Sequence, residues 1–146
     1  MSNTYHLFLS HSWTYSDAYE KLILLLNKRL YFSYKNYSIP KDNPVHNATN
    51  DKLLYEAIKK QIAPSNVILI LAGVYATYSK WINKEIQIAN EEFMFKKPII
   101  AIEPWGSERT SKIVKDNASR IVKWNTENIC NKRVVLIQIT NLNFFF

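Results

Sequence analysis

The chain has 146 residues, 47% of them hydrophobic and 21% charged, the composition of one folded domain and not of a disordered segment. A single cysteine, Cys130, excludes an internal disulfide and a cysteine-based zinc centre, and two glycines, Gly73 and Gly106, cannot write a G-x-G-x-x-G turn, a P-loop or a G-x-S-x-G nucleophile elbow. The net charge of +7 suits nucleic acid, an anionic membrane or a phosphate-bearing small molecule, but the basic residues are spread along the chain and form no run longer than a pair such as Lys59-Lys60 or Lys96-Lys97, as on an ordinary solvated surface.

Tyr5-His6-Leu7-Phe8-Leu9 is a short continuous apolar run, which predicts a strand buried on both faces. Asp17, with Glu20 three residues on, resembles a capping box. It opens a helix with Leu22, Leu25, Leu26 and Leu30 on one side. Tyr37-Ser38-Ile39, ending at Pro40, is a second candidate strand. Thr49-Asn50-Asp51 caps a helix whose stripe is Leu54, Ala57, Ile58 and Ile62, and Pro64 ends it. Val67-Ile68-Leu69-Ile70-Leu71 is the next strand. A helix then runs from about Tyr78 to Phe95, with Ile82, Ile86, Ala89 and Phe93 toward the sheet. Pro98-Ile99-Ile100-Ala101-Ile102 is a further buried strand, Ile113 and Val114 belong to a short helix, and Arg120-Ile121-Val122 to a short edge strand.

Strand and helix alternate, which predicts an α/β class: a flavodoxin-like three-layer fold around a parallel sheet of about five strands. Ligands in such sheets sit at the carboxyl ends of the strands, here the loops after Leu9, Ile39, Leu71 and Ile102. A single domain is expected over residues 1–146, with an atypical tail from about 130. There Val134 to Ile139 reads as a strand and Phe144-Phe145-Phe146 as an apolar end. No apolar stretch approaches the ~20 residues of a membrane span, and Met1-Ser2-Asn3-Thr4 starts no secretory signal. A cytoplasmic location is therefore expected.

The loop after the first strand gathers Ser10, His11, Ser12 and Trp13. They read as a ligand platform, with stacking from Trp13 and hydrogen bonds from Ser10 and His11, or as a turn with Trp13 packed on the next helix. A Ser-His hydrolase lacks an identifiable third member. The loop from Tyr37 to His46 contains Pro40, Lys41, Asp42 and Pro44. Lys41 suits a phosphate, and a plain polar connection fits equally. His6, His11 and His46 share no metal-ligand spacing, so no metal is expected. In the third helix Trp81 and Glu85 are four residues apart and share a face. That face is offset from the apolar stripe, which puts Glu85 at the border of the buried surface. Partial desolvation would raise its pKa and suit an acid, a base or a charge stabiliser. Spacing alone favours a surface glutamate paired with Lys84 or Lys80.

Leu7-Phe8-Leu9-Ser10-His11-Ser12, the Pro40-Lys41-Asp42 loop, Ser65 to Leu71, Trp81-Ile82-Asn83-Lys84-Glu85 and Lys97-Pro98-Ile99-Ile100 together resemble a TIR-like domain. More narrowly, over about residues 4 to 128, they are similar to the TIR-like ThsB family of the Thoeris antiphage defence system. The resemblance implies a flavodoxin-like fold and cleavage of NAD+, as substrate and not as cofactor. It implies that Glu85, in a W-x-x-x-E setting with Trp81, is catalytic. It also implies that Ser10, His11 and Trp13, with Pro40, Lys41 and Asp42, border the ligand. The aromatics Trp13, Tyr75, Tyr78 and Trp81 are candidates to keep water from the reacting ribose, with core packing as the plainer reading. In that family the protein senses infection through an unknown phage trigger and makes a cyclic ADP-ribose isomer, which activates a separate effector. Self-association is compatible with this, and no membrane or nucleic-acid partner is implied. Three rivals remain from other classes. A non-catalytic sensor or adaptor would act through protein contacts. A phosphate-acceptor domain should carry paired acidic residues where Ser10-His11 stands. A nucleic-acid binder is suggested by charge alone.

Overall fold

The computed structural model describes residues 4–10, 17–28, 33–39, 50–71, 80–103 and 111–123. Within them the order is β1 (Thr4–Ser10), α1 (Asp17–Lys28), β2 (Ser33–Asn36), α2 (Asp51–Ile62), β3 (Val67–Leu71), α3 (Lys80–Glu91), β4 (Ile99–Glu103), α4 (Lys112–Asn117) and β5 (Arg120–Lys123). The strands form one parallel sheet in the order β2-β1-β3-β4-β5. This is the expected flavodoxin-like α/β fold. The chain starts near the middle of the sheet, winds outward to β2, then crosses back through β3 to β5. The carboxyl ends of all five strands therefore lie along one edge.

Alternation along each strand separates two cores. Leu7, Leu9, Val67, Leu69, Ile100 and Ile102 pack with Leu22, Leu25 and Leu26 of α1 on one face. Phe8, Ile68, Ile70, Ile99 and Ala101 pack with α2, α3 and α4 on the other. Both faces are covered, so the central strands read as unbroken apolar runs. Each fully buried Leu, Ile or Phe contributes about 1.5–3 kcal/mol. Ile58 and Ile62, both 0% exposed, hold α2 to the sheet in this way.

The helix boundaries have local causes. The Asn50 side chain accepts from the Leu53 amide at 2.8 Å and starts α2. After Ile62 the chain turns at Ala63-Pro64. Lys97 donates through Nζ to the carbonyls of Ala63 and Ser65 and lies 4.4 Å from the Phe93 ring centre. It thereby ties the end of α2 to the start of β4, and its partial burial lowers its pKa. No helix among the described residues is long and apolar enough to cross a membrane.

Two boundaries differ from the sequence reading. The second strand is Ser33–Asn36, four residues before Tyr37-Ser38-Ile39. It is an edge strand and largely exposed, so it carries no apolar run to read. Tyr37 continues its direction through an amide bond to the Leu7 carbonyl at 2.8 Å, and only Ile39 reaches the core. The third helix ends at Glu91, short of Phe95. Met94 and Phe95 are exposed in the following bends. Leu30 and the tail from about 130 lie outside the described residues.

Candidate active site

In β1, Leu7 and Leu9 face α1, so Phe8 and Ser10 face the opposite side. Ser10 is the last residue of the strand and pairs in register with Ile70. Its hydroxyl therefore stands at the carboxyl edge, under the helices that cover that face. α3 leaves the same edge after β3, and its second turn carries Glu85. Ser10 Oγ donates a hydrogen bond to Glu85 Oε2, and both residues are buried, at 2% and 4% exposure.

Glu85 is therefore well inside the buried surface and not at its border. The sequence stripe omitted Ile88, which is 0% exposed. At about 100° per residue, Glu85 falls between Ile88 and Ala89 around the helix. Ile88 widens the buried face until Glu85 lies within it. The surface setting expected for Glu85, paired with Lys84 or Lys80, is not found, and the Lys80 side chain lies outside the described residues. Lys84 Nζ instead lies 3.7 Å from Asp51 Oδ1 at the start of α2. Trp81, on the same side of α3 as Glu85, is half-buried against the core of that face.

Burial pushes the Glu85 carboxyl up from 4.5 to about 8, and the Ser10 hydrogen bond works in the other direction. The physical causes are distinct. Desolvation penalises the charged form, whereas a donor aimed at the oxygen stabilises it. At neutral pH this acid holds its proton. A cation brought against it would favour ionisation and meet a carboxylate in a medium of low dielectric, where opposite charges attract strongly.

A second buried carboxylate was not singled out from the sequence. Ile99, Ala101 and Glu103 alternate along β4 onto the same face as Ser10, and Glu103 is 3% exposed. Lys115 Nζ of α4 lies 3.9 Å from its Oε1. The signal was available: Glu103 ends an apolar run with the parity of the buried row. Ser111 Oγ, just before α4, is buried with no hydrogen-bond partner among the described residues.

Of the residues singled out in the sequence, the structure joins Ser10 with Glu85 and sets Trp81 on the same helix. His11, Trp13, Pro40, Lys41 and Asp42 lie outside the described residues, as do Tyr75 and Tyr78. His6 stacks on Tyr37, with ring centres 5.6 Å apart, and its Nδ1 is 2.8 Å from the Tyr37 hydroxyl. A groove of about 360 Å³ lined by Asn90, Lys97, Pro98 and Asn117, among others, opens at the opposite end of the sheet, before β4 and β5. It is remote from Glu85 in the fold and shares no residue with the Ser10–Glu85 pair.

A search of curated proteins returned no match. The family model described as Thoeris protein ThsB, TIR-like domain, matches residues 8–109. The match runs from Phe8 in β1 past the end of β4, and so includes Ser10, Trp81, Glu85 and Glu103 but not α4 or β5. It covers most of the chain, and the parallel sheet is the fold the family requires. The chain therefore belongs to the ThsB family of Thoeris TIR-like domains, and with it to antiphage defence.

Proposed function

We propose that this protein is an NAD+-cleaving TIR enzyme that breaks the bond between nicotinamide and ribose, with Glu85 as its catalytic residue. The observation that carries the reading is a buried glutamate at the carboxyl edge of the sheet, hydrogen-bonded by Ser10, within a TIR-like family. A buried carboxylate costs stability, and a site that stabilises a developing cation is a reason to keep one.

In the proposed reaction the C1′–N bond breaks and its electron pair leaves with nicotinamide, which departs as a neutral molecule. Positive charge develops on the ribose, as in glycoside cleavage. The Glu85 carboxylate stabilises that charge and holds a ribose hydroxyl. Nicotinamide needs little acid assistance, so one carboxylate suffices. Attack by water on C1′ yields ADP-ribose and a proton. Attack by a hydroxyl or nitrogen of the same molecule yields a cyclic ADP-ribose isomer and a proton. Excluding water favours the second route, and Trp13, Tyr75, Tyr78 and Trp81 are assigned to that task. His11, Trp13, Pro40, Lys41 and Asp42 are assigned to the rim that receives the dinucleotide. The cyclic product is the diffusible messenger to a partner effector.

The test compares phage-challenged cells expressing the protein with cells expressing Glu85→Gln. Nicotinamide release and survival of the culture are read in both. The expected outcome is that both depend on Glu85. Intact defence in the variant, with no nicotinamide released by either protein, would leave a non-catalytic adaptor instead.

A further inference from the structure

Ser10 is a polar residue that directly follows the buried apolar run Leu7–Leu9, and its hydroxyl donates to Glu85 Oε2. A buried hydroxyl needs a partner, and so does a buried carboxyl group. Here each supplies the other. The residues come from β1 and α3, which are 75 positions apart in sequence, so the bond also fixes the helix against the strand. We propose that Ser10 is a positioning residue for Glu85: its hydroxyl sets the carboxylate's orientation and favours its ionised form, and it does not bind the dinucleotide.

The proposal rests on the reading of Glu85 as the NAD+-cleaving carboxylate, and it replaces the expectation that Ser10 contacts the ligand. At 2% exposure, with its hydroxyl given to Glu85, Ser10 has no donor left for a sugar or phosphate. The two roles make different predictions. A ligand contact would appear mainly in KM. A positioning residue acts on the state of Glu85 and appears in kcat and in the pH profile.

Among the described residues, titratable groups of the elements packed on this face have other partners. On β1, His6 is bonded to Tyr37. On β4, Glu103 is paired with Lys115 of α4. Where α2 packs on α3, Asp51 is paired with Lys84 and Lys59 with Glu92. Among the described residues, burial and the Ser10 bond are what move Glu85. A donor removed from a buried carboxylate raises its proton affinity, so fewer molecules are active at neutral pH.

The experiment has two readouts on Ser10→Ala and Ser10→Thr. The first is titration of Glu85 by carbon NMR of the labelled carboxyl group, which needs no substrate. The second is NAD+ turnover across pH, assayed under conditions in which the wild-type protein is active. Ser10→Ala should move the Glu85 titration up by about one pH unit and lower kcat roughly tenfold on the acid limb of its pH profile, with KM little changed. Ser10→Thr, which keeps the hydroxyl, should restore both. If Ser10→Ala does not fold, Ser10→Cys, a weaker donor of similar size, reads the same shift. An unmoved titration, or a loss confined to KM, would overturn the proposal. A shifted titration in a protein that never releases nicotinamide would instead overturn the NAD+ reading and leave the Ser10–Glu85 coupling standing.

Discussion

Glu85 holds its proton where an ordinary glutamate does not, and this has consequences for both rate and stability. If the carboxylate is the working form, kcat/KM for NAD+ rises with pH and levels off above about 8, the value to which burial pushes Glu85. The cationic nicotinamide ring of bound substrate favours ionisation, so the same limb in kcat should fall at lower pH. A profile of each across pH 6–9, on the order of that window, checks both. The stability effect has a definite sign. An unfolded glutamate ionises near 4.5, whereas the folded one keeps its proton to about 8. Between these values the folded chain binds the extra proton, so stability falls as pH rises through the window. Glu85→Gln removes that loss. It should melt above wild type at pH near 8, by an amount on the order of a few kcal/mol in stability, with the advantage shrinking toward pH 5. Thermal melts at the two pH values decide it, and a wild type more stable at the alkaline end would contradict the burial argument.

At the scale of elements, the apolar runs made the central strands readable and the polar edge hid β2. Val67–Leu71 was legible to the residue because both its faces are buried. Ser33–Asn36 was not, because an edge strand has backbone partners on one side and water on much of its side-chain surface. The site was half legible. The W-x-x-x-E spacing marked Glu85 through a resemblance, but its depth of burial depended on Ile88 closing the far side of the stripe. Its bond to Ser10 depended on strand parity across the sheet, which no local window contains. Glu103 was readable by the same parity and was passed over. The cap of α2 was legible outright. Asn50→Ala should cost about 1 kcal/mol in urea unfolding and leave turnover per folded molecule unchanged, since Asn50 lies at the start of α2 and bonds the Leu53 amide. A larger loss of turnover than of folded protein would mean that α2 shapes the site.

The whole molecule carries a charge of +7, yet four of its described lysines are taken up by carboxylates. Lys59, Lys84, Lys112 and Lys115 each pair with a carboxylate, and the pairs are distributed over three helices. Duplex DNA should therefore bind weakly, with a salt dependence well below that of a protein making ~6–10 phosphate contacts. A steep slope in a filter-binding series would revive the nucleic-acid reading. Family membership, a parallel sheet with Ser10 at its carboxyl edge, and a buried carboxylate there support the proposed reaction. The most direct test is mass spectrometry of NAD+-derived nucleotides in phage-challenged cells, with wild-type protein and Glu85→Gln expressed at matched folded levels. Wild-type cells should contain, after challenge, a new species with the mass of cyclic ADP-ribose that is absent from cells with the variant. An unchanged nucleotide profile in wild-type cells that nonetheless resist the phage would contradict it.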